Sequence, residues 1–318
     1  MMLLGVGRRY LTAGLVILLA ACAGQTLTQG PPVVSSGAGT SALGLGNDTS
    51  EQNLLYVSSL QNSNPNVLIY TYPKGRFKTK VDKSALTFPH GECADRRGHV
   101  FVTNGTSNPS SSGILEYAHA GKTPIKTLSV KGSADQCAVD PTTGNLAVVS
   151  TQLAIFRRAH GTPTYYSFPN GFDRVACDFD NKGNLFVDGV TKLNQSRAAL
   201  IELPAGAGGF ERIKMPPVSE TATPGGVRWD GKNLAISNGA STIFLLKISG
   251  TNAKNVGAAE FYGSAGMASF WIAGGDIVGA NSLKPTVMVW AYPAGGQPFK
   301  VLHRTGRGDG VAVSISPQ

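Results

Sequence analysis

Charge is scarce in this sequence. Asp, Glu, Lys and Arg make up 15% of its 318 residues, against roughly 25% in an average soluble domain. Together with 40 glycines and 18 prolines, this excludes a coiled coil or a long-helix bundle, which need charged helix formers and few chain breakers. There is no collagen-like glycine period, and a hydrophobic content of 42% is too high for disorder along the whole chain. No uninterrupted apolar run approaches the roughly 20 residues that cross a bilayer as a helix. The five histidines, His90, His99, His119, His160 and His303, show neither an HExxH motif nor a paired metal spacing. A G-x-S-x-G elbow, a phosphate-binding loop and a dinucleotide fingerprint are all missing.

The N-terminus reads as an export signal. Arg8 and Arg9 precede an apolar run from Leu11 to Ala21, interrupted only by Thr12 and Gly14. Such a run fits the apolar region of a secretory leader and is too short for a permanent span. It ends in Leu19-Ala20-Ala21-Cys22, which resembles the lipobox of bacterial lipoproteins. That resemblance implies a signal peptide over 1–21 and lipid attachment at Cys22, which becomes the mature N-terminus. With Ala23 rather than Asp after the cysteine, likeness to enteric lipoproteins implies the outer membrane. Residues 22–50 then form the lipidated cysteine and a Gly/Ser/Thr-rich tether with one charge, Asp48. That composition predicts a flexible segment reaching on the order of 30 Å.

From residue 51 onward, short apolar runs alternate with turn residues, as in an all-β sandwich, barrel or propeller. A fixed-period repeat decides among them. The segments 91–104, 135–150, 174–189 and 226–238 each read as an apolar strand, an Asp, a Gly- or Asn-containing turn and a second apolar strand. The shared acid falls at Asp95, Asp140, Asp180 and Asp230, at intervals of 45, 40 and 50 residues. Its carboxylate suits a strand end, where it accepts backbone N–H groups, while Gly or Asn takes the left-handed turn position. A degenerate fifth copy covers 266–281, with Gly274-Gly275 at the turn. Six third strands and six outer strands follow the hairpins. One inner strand, 308–316, has no hairpin after it, and one second strand, 54–60, has no inner strand before it. Joining them completes a sixth unit and removes the sheet edge. The expectation is one domain over 51–318, a six-bladed β-propeller closed by strands from both ends of the chain.

The hairpin pattern G-x-x-x-D-x-x-G-N-L-x-V resembles the NHL-repeat propellers and the related gluconolactonase and strictosidine-synthase-like propellers. The resemblance rests on fold-determining residues. In a propeller, the loops leading into the inner strands surround one mouth of the central channel, where ligands bind. Those loops carry His90, Glu92, Asp135, Asp173, Arg174, Arg228 and Asp309. They can form a small pocket for a polar ligand or a cation. The plainer reading, which these residue types favour, is a ring of Asp–Arg pairs holding the blades together. Lactonase-type propellers hold a divalent cation through Glu, Asn and Asp, and Glu92, Asp135 and Asp173 mimic part of that set. No Asn occupies a mouth loop, so no metal site is assigned and no cofactor is expected. A strictosidine-synthase-like reaction wants a buried Glu, for which Glu92 is the one candidate.

Three further cysteines, Cys93, Cys137 and Cys177, lie in inner strands of consecutive blades. An exported protein permits a disulfide. Counted from the shared Asp, Cys93 points to the opposite side of its blade from the other two. Cys93 and Cys137 can therefore face each other across a blade interface, and Cys137 and Cys177 cannot. The plainer reading is three buried thiols acting as apolar fillers.

The formal net charge of +9 falls to +7 once Arg8 and Arg9 leave with the signal. The Lys and Arg side chains spread over outer strands, where they solvate edges or attract anionic lipid, cell-wall polymer or an acidic partner. Nucleic acid is excluded by export. The sequence thus points to a lipid-anchored envelope protein that binds a small polar ligand or an envelope protein. The alternatives are a metal-dependent hydrolase of the lactonase type and a scaffold in an envelope assembly complex. Oligomeric state is not encoded legibly.

Overall fold

A computed structural model describes residues 52–61, 64–106, 110–191, 194–217, 225–306 and 308–317. The expected signal peptide, lipid-attachment residue Cys22 and tether lie outside the described residues. The strands form six four-stranded antiparallel sheets arranged as the blades of a propeller. Blade 1 runs from Phe88 to Lys131, blade 2 from Cys137 to Tyr166 and blade 3 from Phe172 to Ile213. Blade 4 runs from Val227 to Glu260 and blade 5 from Met267 to His303. Blade 6 takes its inner strand, Gly308–Ser314, from the C-terminal end and its other three strands from Leu54–Lys80. Leu54 pairs with Ser314, Tyr56 with Ala312 and Ser58 with Gly310. The expected closure is therefore present, in an antiparallel ladder that pairs the two terminal strands with each other.

The repeated Asp forms its turn as its chemistry dictates. Asp95 Oδ1 accepts the amides of Arg97 and His99, Asp180 Oδ1 those of Lys182 and Asn184, and Asp230 Oδ1 those of Lys232 and Asn233. Asp140 accepts the amide of Thr142 and both threonine hydroxyls beside it. In blade 5 the turn falls at Gly274-Gly275, between Ala273 and Asp276, and no capping acid precedes it.

The core lies in the seams between blades. One cluster joins Cys93, Phe101 and Ile114 of blade 1 to Cys137, Val148 and Phe156 of blade 2. Another joins Leu54, Tyr56 and Ile69 of blade 6 to Val102, Leu115 and Tyr117 of blade 1. Because both faces of each blade are covered, second strands are buried without alternation, as in Val100–Gly105. The outer strand of blade 4 runs from Asn252 to Glu260. One sequence expectation changes. The reading of three buried thiols is corrected: Cys93 and Cys137 are joined, with their sulfurs 2.08 Å apart, across the blade 1–2 seam. Cys177 remains a buried free thiol. The facing geometry read from strand alternation outweighs the apolar-filler reading.

Candidate functional site

Inner strands enter the channel from the mouth, and several are bent there. Pairing shifts register between Pro89 and Glu92 in blade 1, Arg174 and Ala176 in blade 3, Met267 and Ser269 in blade 5, and Ser58 and Ser59 in blade 6. Such bulges turn side chains away from strict alternation. In blade 1 the result is a half-buried His90 at the mouth and a fully buried Glu92 below it. Gly310 of the closing strand makes room for Glu92, since a Cβ at that position would collide with the Glu92 carboxylate and the His90 carbonyl.

The mouth residues form one cluster on the side of blades 1, 2 and 3. Arg174 Nη2 lies 3.8 Å from Asp135 Oδ2, and its Nη1 lies 3.4 Å from Asp173 Oδ1. Burial pushes the Asp135 carboxyl upward, and the charges of Arg174 and His90 pull it back. Asp135 and Asp173 keep side-chain exposures of 40% and 51%, so this trio is open to solvent. The backbone of Asp309 lies in the closing strand, and its side chain lies outside the described residues.

Arg228 does not belong to the mouth cluster. It is 7% exposed and crosses the channel from blade 4. Its Nε donates to the Phe270 carbonyl of blade 5 at 3.0 Å, and its Nη2 reaches the Glu92 carbonyl of blade 1 at 3.5 Å. Nη1 lies 3.7 Å from Asp178 Oδ1 of blade 3, and the guanidinium sits 4.5 Å from the centre of the Trp271 ring. One permanently charged fork thus ties four blades at the axis. Asp178 also accepts the Trp229 amide at 2.7 Å. Burial raises its carboxyl, and Arg228 and the Trp229 amide oppose that rise.

Asp178 and Asp188 are the residues that sequence reasoning missed. Asp178 stands two residues before the shared Asp180, as Arg228 stands two before Asp230. Equivalent positions on neighbouring blades put their side chains within reach, a signal visible in the repeat alignment. Asp188, 1% exposed, accepts the Ala176 amide at 2.8 Å and the Gly226 amide of the next blade at 3.2 Å. Burial pushes its carboxyl up to about 7 against those two hydrogen bonds. In the equivalent second-strand position, Thr103 bonds the Asp135 carbonyl of blade 2 and Ser237 the Met267 carbonyl of blade 5. Asp188 is thus an acid where other blades use a hydroxyl to clip the next blade.

The arrangement does not match a divalent-cation cage. Glu92 is buried, whereas Asp135 and Asp173 are exposed around Arg174. The axial position beneath the mouth carries a guanidinium. Among the described residues, no three His, Cys, Asp or Glu side chains converge as a metal group. A groove of about 260 Å³ lies at the opposite face, lined by turn residues including Asp140, Thr142, Gly183 and Ala205. Asp140 already serves there as a turn cap.

No known family model matches the chain, and no curated protein matches it. Solved structures do match its architecture. A chain of a nidogen/laminin complex shares 12% identity at a TM-score of 0.64, over 84% of this chain and 100% of that chain. A protein of unknown function from Bacteroides caccae shares 13% at 0.60, over 84% and 100%. A putative 6-phosphogluconolactonase from Bacteroides fragilis shares 11% at 0.56, over 84% and 99%. Identities this low establish the fold alone. The protein is a six-bladed β-propeller, with lactonase-like proteins among its structural neighbours.

Proposed function

We propose that the mature protein is a lipid-anchored propeller of the cell envelope that binds a small polar ligand or an envelope protein at its mouth, without turning it over. The observation that carries this reading is Arg228. A lactonase-type reaction calls for a divalent cation near the axis, and a guanidinium fixed there by Phe270, Glu92 and Asp178 opposes it electrostatically. Above it, Asp135, Asp173 and Arg174 offer both charge signs on a rigid scaffold, which suits polar recognition. The lipid anchor is supported by the lipobox-like Leu19-Ala20-Ala21-Cys22.

Three experiments test this. A photo-crosslinking residue replaces Asp173 in the mature protein in cells, with Lys254 on the outer strand of blade 4 as the control position. A discrete adduct from position 173 and none from 254 supports mouth binding. Identical patterns from both refute it. A lactone panel assayed with added divalent cations is expected to show no turnover; hydrolysis abolished by Glu92→Ala establishes the enzyme instead. Fatty-acid labelling of the parent, lost in Cys22→Ala, checks the anchor.

A further inference from the structure

We propose that the face opposite the mouth, in the sector of blades 5, 6 and 1, docks onto an anionic phospholipid surface. In each blade the chain descends from the mouth along the inner strand, so the first-to-second and third-to-outer turns all lie at this far face. Cross-blade contacts join those turns into one surface. Tyr72 of blade 6 bonds Asp276 of blade 5, His119 of blade 1 bonds Ser314 of blade 6, and Tyr292 of blade 5 bonds Asp230 of blade 4.

Three exposed apolar side chains occupy equivalent positions at the foot of consecutive outer strands. They are Phe299 in blade 5, Phe77 in blade 6 and Ile125 in blade 1, exposed by 57%, 60% and 57%. Exposed cations occupy turns of the same face: Arg76 in blade 6 and Arg96, Arg97 and Lys122 in blade 1. Each carboxylate of the sector has a protein partner, Asp276 accepting from the Tyr72 hydroxyl. Asp82 and Asp95 accept backbone amides, and Glu116 takes Lys126 at 2.7 Å and His99 at 2.9 Å. Apolar studs among basic residues suit the boundary between headgroups and acyl chains.

Chain connectivity supports the same occupant. Gln52 and Asn53 lie at this face: the Gln52 carbonyl is 3.2 Å from His119 Nε2, and Asn53 accepts the Ser316 amide at 2.9 Å. The preceding residues, which lead back to Cys22, therefore depart from the basic sector. This docking adds a contact to the proposed lipid anchor and leaves the mouth directed away from the bilayer. It rests on the Cys22 reading only for which membrane is met.

The test uses the unacylated mature chain, residues 22–318 with Cys22→Ala, and cosedimentation with vesicles. Vesicles containing phosphatidylglycerol are expected to bind it, and pure phosphatidylcholine to leave it in solution. Molar salt, which shortens the Debye length to about 3 Å, is expected to release it. R76Q/R96Q/R97Q is expected to lower partitioning on the order of 100-fold. R197Q/R212Q/K284Q, equal in charge lost, changes two residues of blade 3 across the ring and one in a mouth turn of blade 5, and is expected to lower it by less than about tenfold. Thermal melts confirm that each variant is folded. Phe77→Ser with Phe299→Ser supplies a second loss of binding at unchanged charge. Failure of the parent to bind anionic vesicles overturns the proposal, as does equal loss in the two charge variants. Unlabelled Cys22 with intact vesicle binding removes the anchor alone; labelled Cys22 without vesicle binding removes the docking face alone.

Discussion

Arg228→Met is the substitution whose effect the geometry defines best. It preserves much of the side chain's bulk and removes a 7%-exposed charge that contacts three other blades. The loss leaves the Phe270 carbonyl without its donor and Asp178, itself 17% exposed, without its cation. Removing one partner of a buried pair costs about 3–5 kcal/mol. For a domain of this size, about 2–4 °C of melting temperature per kcal/mol converts this to a fall of roughly 6–20 °C. The deficit is also pH-dependent. Asp178 is already raised by burial, and losing Arg228 raises it further. A carboxyl raised by folding gives its full stability when protonated and loses it as pH rises through the folded value. Arg228→Met is therefore expected to trail the parent less at pH 5 than at pH 8. Asp178→Asn in the same chain is expected to recover part of the loss, giving a coupling of about 0.5–3 kcal/mol in a double-mutant cycle. Circular dichroism melts of the four proteins at both pH values measure it. Additive effects, or a melting temperature within about 2 °C of the parent, would show that Arg228 does not hold the axis together.

Asp188→Asn is expected to flatten the parent's decline in stability between about pH 4 and pH 7, a slope of at most about 1.4 kcal/mol per pH unit. The sign follows from the carboxyl being pushed up to about 7, so the folded state holds a proton that the unfolded state has released; equal slopes in both proteins would contradict it. Cys93→Ala with Cys137→Ala is expected to lower stability by about 2–4 kcal/mol in urea titrations, because the bridge closes a sequence separation of 44 residues. Cys177 is expected to resist alkylating reagents in the folded state, since it is buried and its thiol is raised by burial and by Asp178; rapid labelling without denaturant would contradict this.

The ring was legible in the sequence because one local device is repeated. Asp95, Asp140, Asp180 and Asp230 each cap a turn, and that requirement fixes an acid before a Gly or Asn in four of the inner hairpins. Closure was legible for a related reason: Leu54–Gln61 and Gly308–Ser314 are each half of a hairpin, and an unpaired edge at both ends is costly. The site was less legible. Arg174, Asp135 and Asp173 were placed at the mouth by topology, and they do meet there. Arg228 was placed with them because it stands in the first turn of its inner strand, yet its long side chain runs inward to Phe270 and Glu92. The inner ladder of blade 4 keeps its register, so the miss comes from reach: strand position does not fix how far a long arginine side chain extends from its backbone.

Closure and channel contents are linked through Gly310. The last inner strand could supply any small or apolar residue to a seam, but at the position opposite Ser58 it meets the Glu92 carboxylate and the His90 carbonyl. Only a residue without a Cβ fits there while Glu92 stays buried. The Ser58 hydroxyl, from the neighbouring strand of the same blade, donates to that His90 carbonyl. The terminal blade thus grips blade 1 through the backbone that carries His90 and Glu92, and the Glu92 carbonyl in turn accepts from Arg228. Any ligand that engages the mouth at His90 therefore acts on a segment coupled both to the ring's closing seam and to its axial cation. The coupling runs through side-chain-to-backbone contacts on one packed segment, and such packing favours a rigid mouth over a mobile one.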